Sequence, residues 1–148
     1  MAKIKAGIIG CGGIGTGKHL PALKALSDRV EVVGFCDIIE ERAQKACKEF
    51  GAEGAKVYTD YKEMLKDESI QTIHVCTPNR SHSFISIDAM KAGKHVICEK
   101  PLARTLEQGE ATDETGTIIT FLPDAEVFET LDLSEDEAAT VFALLARL

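Results

Sequence analysis

The stretch Ile4-Lys5-Ala6-Gly7-Ile8-Ile9-Gly10-Cys11-Gly12-Gly13-Ile14-Gly15 runs from an apolar segment into four glycines within six residues. Its first half has the continuous apolar character of a strand buried on both faces of a sheet. Its second half places Gly10, Gly12 and Gly15 in the G-x-G-x-x-G spacing. The residues from Ile14 to Leu26 then read as a helix, with Pro21 delaying its regular start. Strand, glycine turn and helix in this order suit a diphosphate. Gly10 permits the tight turn, Gly12 lets the backbone approach the phosphates, and Gly15 lets helix and strand pack closely. The helix start, with Gly13 and Ile14, presents N–H groups and a positive dipole end to the anion.

A second strand, Val30 to Cys36, ends at Asp37, 22 residues beyond Gly15. A carboxylate there can accept hydrogen bonds from the adenosine ribose hydroxyls and would repel a 2′-phosphate, so NAD is expected and NADP less so. The plainer alternative is an ordinary strand–helix turn in which Asp37 only caps the next helix. Farther along, Ile39, Ala43, Ala46, Cys47 and Phe50 share a helical face that Gly51 ends. Val57-Tyr58 reads as a short edge strand, and Asp60 with Glu63 as a capping pair for a helix through Leu65. Ile73 to Cys76 is a core strand closed by Pro78, Phe84 to Met90 a helical stripe ended by Gly93, and His95 to Cys98 another strand. Strands alternating with helices in this way predict an α/β fold: a doubly wound parallel sheet with right-handed crossovers.

The chain has 148 residues, 45% of them hydrophobic and 28% charged, as expected of one soluble globular domain. Five scattered cysteines, with no C-x-x-C pair and no clustered histidines, point to reduced thiols in a cytoplasmic protein and to no metal site. No apolar run reaches about 18 residues and no signal peptide is recognisable, so neither a membrane nor a secretory role is expected. Residues 1–111 carry 16 basic against 15 acidic side chains, whereas residues 112–148 carry one against nine. That shift predicts a boundary at residue 111, between a dinucleotide-binding domain and an acidic strand-plus-helix tail. No basic, aromatic cluster suggests nucleic acid as a partner.

Four segments together resemble the Gfo/Idh/MocA oxidoreductases. They are Gly7 to Gly15, His19-Leu20-Pro21-Ala22-Leu23, Cys76-Thr77-Pro78-Asn79 with His82, and Gly93-Lys94-His95-Val96-Ile97-Cys98-Glu99-Lys100-Pro101-Leu102-Ala103. The resemblance runs through about residue 111. It implies a Rossmann domain holding NAD(P), with Thr77, Pro78 and Asn79 lining the nicotinamide side and His82 and Glu99 near the cofactor. It also implies a catalytic Lys100 that reaches the hydroxyl of a small hydroxylated substrate, such as a sugar or polyol. For His82 and His95 the plainer expectation is that each satisfies local backbone groups. Family members continue into an α+β substrate domain bearing a catalytic histidine. This chain has no histidine after His95, so the fold is expected to be truncated and the domain inactive alone. An oligomer is compatible with the sequence.

The tail, from Thr112-Asp113-Glu114-Thr115-Gly116-Thr117 to Phe128, resembles a segment of the ATPase domain of the DNA gyrase B subunit. That likeness implies that Thr117 borders an adenine pocket. The reading preferred for the tail is structural. Thr117 to Leu122 would be a sixth strand completing the sheet, and Ser134 with Glu137 would cap an amphipathic helix through Leu148. Three functions follow: the cofactor domain of a dehydrogenase, a non-catalytic NAD-binding or interaction protein, and a gyrase-type nucleotide-binding fragment. The glycine turn with Asp37 favours the first two.

Overall fold

The computed structural model describes residues 2–102. Among these, five parallel strands form one sheet: β1 (Ile4–Ile9), β2 (Val30–Cys36), β3 (Lys56–Tyr58), β4 (Thr72–Val75) and β5 (His95–Cys98), in the order β3-β2-β1-β4-β5. The helices are α1 (Leu20–Ala25), α2 (Glu40–Phe50), α3 (Tyr61–Leu65) and α4 (His82–Lys91). This is the Rossmann strand order up to its fifth strand. The expected sixth strand, the capped carboxy-terminal helix and the gyrase-like segment lie outside the described residues.

The strand pattern follows from alternation along β1. Ile8 faces a core with Leu20, Val32, Phe35, Ala43 and Ala46, so α1 and α2 cover one side of the sheet. Ile9 faces the other core, with Met64, Ile70, Ile73, Val75, Ile85 and Val96, so α3 and α4 cover the opposite side. Chain direction then sets the geometry of any ligand. From β1 the chain winds one way to β2 and β3, then crosses to β4 on the far side of β1 and continues to β5. The two halves diverge at the carboxyl ends of β1 and β4. That is where open α/β sheets form a crevice.

One expected helix takes a different form. After α-helical residues at Gly13 and Ile14, the segment passes into a π-helical turn, Gly15–His19, in which the Leu20 amide bonds the Gly15 carbonyl five residues back. From Leu20 the helix is again α-helical. Pro21 supplies the reason, since it has no N–H to donate and its ring would crowd a carbonyl four residues back. The capping pair at α3 is also only half formed. Asp60 accepts from the Lys62 amide at 2.8 Å, while Glu63 turns to Lys66 instead.

Gly10 is the position where the turn depends on glycine. Its φ is +97°, and a Cβ there would lie 2.6 Å from the Cys76 carbonyl carbon and oxygen. Gly10→Ala is therefore expected to lower stability by roughly 2–4 kcal/mol, combining left-handed strain with overpacking against backbone. Urea unfolding monitored by circular dichroism checks this, and a loss under about 0.5 kcal/mol would contradict it.

Candidate functional site

Four adjacent strands end at one rim of the sheet, and each delivers residues that the sequence pattern marks as candidates. Gly10 follows β1, Asp37 follows β2, Thr77 lies just past β4, and Glu99 follows β5. Backbone bonds extend the ladder beyond the strands: Gly10 N to Cys36 O at 2.8 Å, Cys76 N to Ile9 O at 2.8 Å, and Glu99 N to Val75 O at 3.0 Å. The rim is therefore rigid where the loops leave it.

Asp37 is buried, and its carboxylate lies against the glycine turn. Oδ2 accepts from the Cys11 amide at 2.9 Å and Oδ1 from the Ile39 amide at 2.9 Å. Asp37 thus supports the chain entering α2 and ties that chain to the glycine loop. Each carboxylate oxygen has a second lone pair, so acceptor capacity remains for a ligand hydroxyl. Beside this bond, a cleft of about 470 Å³ is lined by Cys11, Gly12, Gly13, Thr16, Arg42 and Lys45, with Ala46 and Glu49. A Cβ placed on Gly12 or Gly13 would meet nothing within 4 Å. Arg42 and Lys45 are cleft residues that sequence reasoning did not single out. Their signal is the i,i+3 spacing on the helix just after Asp37, which sets both on one face.

At the other half of the rim, Thr77, Pro78 and Asn79 leave β4 and enter a 3₁₀ turn, Asn79–Ser81. The Ser81 hydroxyl lies 2.8 Å from the Pro78 carbonyl and 2.9 Å from the Thr77 hydroxyl, which fixes the turn. His82 follows, only 1% exposed. Its Nδ1 lies 2.8 Å from the Pro101 carbonyl and its Nε2 2.6 Å from the Thr77 carbonyl, so both ring nitrogens meet backbone. Lys100 is exposed, and its amide donates to Glu99 Oε2 at 3.3 Å. His95 is exposed on β5.

Glu99 heads a chain of polar groups that the sequence did not announce. Its Oε1 accepts from His19 Nε2 at 2.8 Å, and His19 Nδ1 lies 3.0 Å from His74 Nδ1 on β4. The hydrogen bond from His19 lowers the Glu99 pKa below the usual carboxylate value. Burial, with His19 alongside, pushes the His74 imidazole down to about 4. The five cysteines are unpaired, and burial raises the Cys11, Cys36 and Cys76 thiols to about 12. Such thiols are poor nucleophiles and poor metal ligands. Among the described residues no group of three or more His, Cys, Asp or Glu could hold a metal, and no helix is long and apolar enough to cross a membrane.

Residues 4–116 match the profile of the oxidoreductase family with an NAD-binding Rossmann fold, Gfo/Idh/MocA. The chain belongs to this family. Inositol 2-dehydrogenase of Salmonella typhimurium is 41% identical over 102 residues, which cover 69% of this chain and 30% of the relative. Inositol 2-dehydrogenase/D-chiro-inositol 3-dehydrogenase of Lactiplantibacillus plantarum is 41% identical over 105 residues, or 70% of this chain and 29% of that protein. Among solved structures, the WlbA dehydrogenase of Bordetella pertussis in complex with NADH and UDP-GlcNAcA superposes with a TM-score of 0.67 at 33% identity. That match covers 73% of this chain and 32% of WlbA. A 3-ketoreductase of Actinomadura kijaniata in complex with NADP gives a TM-score of 0.67 at 31% identity, covering 74% and 34%. The chain thus contains a Gfo/Idh/MocA NAD-binding domain and spans about 30% of the length of the dehydrogenases it matches.

The polar chain makes this Gfo/Idh/MocA domain acid-sensitive in two stages. Unfolded chains protonate histidine below about 6.5, whereas folded His74 resists until about 4, so stability falls as pH drops through that window. The loss attributable to His74 is about 3 kcal/mol when complete. Glu99, depressed in the fold, adds a further loss as pH falls below its ordinary 4.5. Urea midpoints measured between pH 7 and 4 should decline, and His74→Asn should flatten the upper part of the slope. An unchanged slope in that variant would contradict the assignment.

Proposed function

We propose that this domain holds NAD for a dehydrogenase acting on a sugar, polyol or related hydroxy compound. The observation that carries the proposal is the Cys11–Asp37 bond beside the open backbone at Gly12 and Gly13. With no side chain over those glycines, a diphosphate can reach the amides of Gly12, Gly13, Ile14 and Gly15 at the helix start. The remaining lone pairs of Asp37 would take the adenosine ribose hydroxyls. Arg42 and Lys45 line the same cleft and suit the negative charge of the diphosphate. The carboxylate favours NAD. The solved relatives bind NADH or NADP, and Arg42 leaves NADP a weaker second choice.

The nicotinamide would lie at the opposite half of the rim, against Thr77, Pro78 and Asn79, with Glu99 beside it and His82 supporting the loop from within. A bound nicotinamide accepts or donates the hydride. Lys100, exposed there, would orient the substrate hydroxyl and stabilise negative charge developing on its oxygen. Relatives named for inositol and levoglucosan oxidation support a polyhydroxylated substrate. Hydride transfer also needs an acid–base group in near-attack geometry. The 148 residues offer no histidine beyond His95 for that task, so on their own they are expected to bind cofactor without turning over.

Thermal unfolding with NADH, NADPH and ATP tests the site. A hundredfold excess of ligand over its dissociation constant raises stability by about 2.7 kcal/mol. NADH is expected to stabilise most, NADPH less and ATP least. Gly12→Val should abolish the NADH effect while leaving the ligand-free protein within about 0.5 kcal/mol of wild type. ATP matching NADH would overturn the proposal, and turnover with inositol and NAD would overturn the expected inactivity.

A further inference from the structure

Lys100 is exposed, yet both of its neighbours in the chain are gripped by imidazoles from elsewhere in the fold. On one side, Glu99 Oε1 accepts from His19 Nε2 at 2.8 Å, and His19 rests edge-on against His74, with ring centroids 5.3 Å apart. On the other, the Pro101 carbonyl lies 2.8 Å from His82 Nδ1, while His82 Nε2 lies 2.6 Å from the Thr77 carbonyl. The first histidine comes from the π-helical turn that starts at Gly15, and the second from the start of α4. Two helices on opposite faces of the sheet thereby converge on one tripeptide.

We propose that His19 and His82 are positioning residues that fix Lys100 at the nicotinamide end of the site by holding Glu99 and Pro101. The inference rests on the reading of this rim as a dinucleotide site. The π-helical turn has a part in it. His19 is the last residue of that turn, and a turn shortened by one residue would rotate it by about 100° relative to the glycine loop. The wide turn therefore lets one short segment present amides to a diphosphate at its start and an imidazole to Glu99 at its end. His82 acts differently. Its ring lies between two backbone segments, with the Pro101 and Thr77 carbonyls 2.8 and 2.6 Å from its nitrogens, and its N–H can donate to one of them. Neither imidazole needs to touch the substrate for this role.

The test uses the whole chain with its lysines labelled by reductive ¹³C-methylation, Lys100 being identified by its missing signal in Lys100→Arg. In wild type, NAD⁺ should shift the Lys100 resonance, and ADP-ribose, which lacks the nicotinamide, should not. His19→Ala should abolish that shift and weaken NADH binding roughly tenfold, while ADP-ribose affinity stays within about twofold. His19→Gln keeps an N–H donor for Glu99 and should restore both. Because His82 is buried, His82→Ala risks unfolding, so the two His19 variants decide the outcome. Equal losses of NADH and ADP-ribose in His19→Ala, or an unaltered Lys100 resonance, would overturn the inference. A wild-type chain that binds neither ligand would instead overturn the reading of the site, and the inference with it.

Discussion

The hydrogen bond from the Cys11 amide to the Asp37 carboxylate is the constraint on which the site depends. It joins the loop leaving β1 to the loop leaving β2 at the point where both emerge from the sheet. A buried amide–carboxylate bond contributes about 1.5–3 kcal/mol, and losing either partner would leave a buried polar group unsatisfied. The bond also sets the spacing between the open glycine backbone and the remaining acceptor positions of Asp37. A dinucleotide needs its diphosphate and adenosine ribose recognised at a fixed separation. In the proposed site, this one short contact would supply that separation before any ligand arrives.

The rest of the fold serves to place this contact and a second one on the same rim. Parallel strands bring every loop after a strand to one end, and the crossover between β3 and β4 splits those loops into two groups. The first group holds the glycines, Asp37, Arg42 and Lys45. The second holds Thr77, Pro78, Asn79, Glu99 and Lys100. Between them runs the π-helical turn, whose end reaches the second group through His19. The chain belongs to the Gfo/Idh/MocA family, and it is similar in fold to a dehydrogenase with NADH bound and a 3-ketoreductase with NADP bound.

The sheet was legible in the sequence because buried parallel strands carry continuous apolar runs, as at Ile4 to Ile9 and Val30 to Cys36. The glycine turn was legible because positive φ at Gly10 and close approach to Cys76 admit no other residue cheaply. The π-helical turn was not, since its cause is the effect of Pro21 on hydrogen bonding one turn earlier, which apolar periodicity does not register. The chain from Glu99 through His19 to His74 was hidden for another reason. Its members are 80 and 55 residues from His19, and only the sheet brings them together. Asp37 is legible either as a ribose ligand or as a helix support. Its two oxygens already support backbone on both sides while keeping capacity for a ligand.

The central claim is that a diphosphate binds the amides at the start of the first helix, with Asp37 alongside. The most direct measurement is the ¹H–¹⁵N correlation spectrum of the labelled chain titrated with NAD⁺. The account predicts that the largest amide shifts fall on Gly12, Gly13, Ile14 and Gly15, with smaller ones near Asp37. Shifts clustered away from that loop, with those four amides unmoved at saturation, would contradict it.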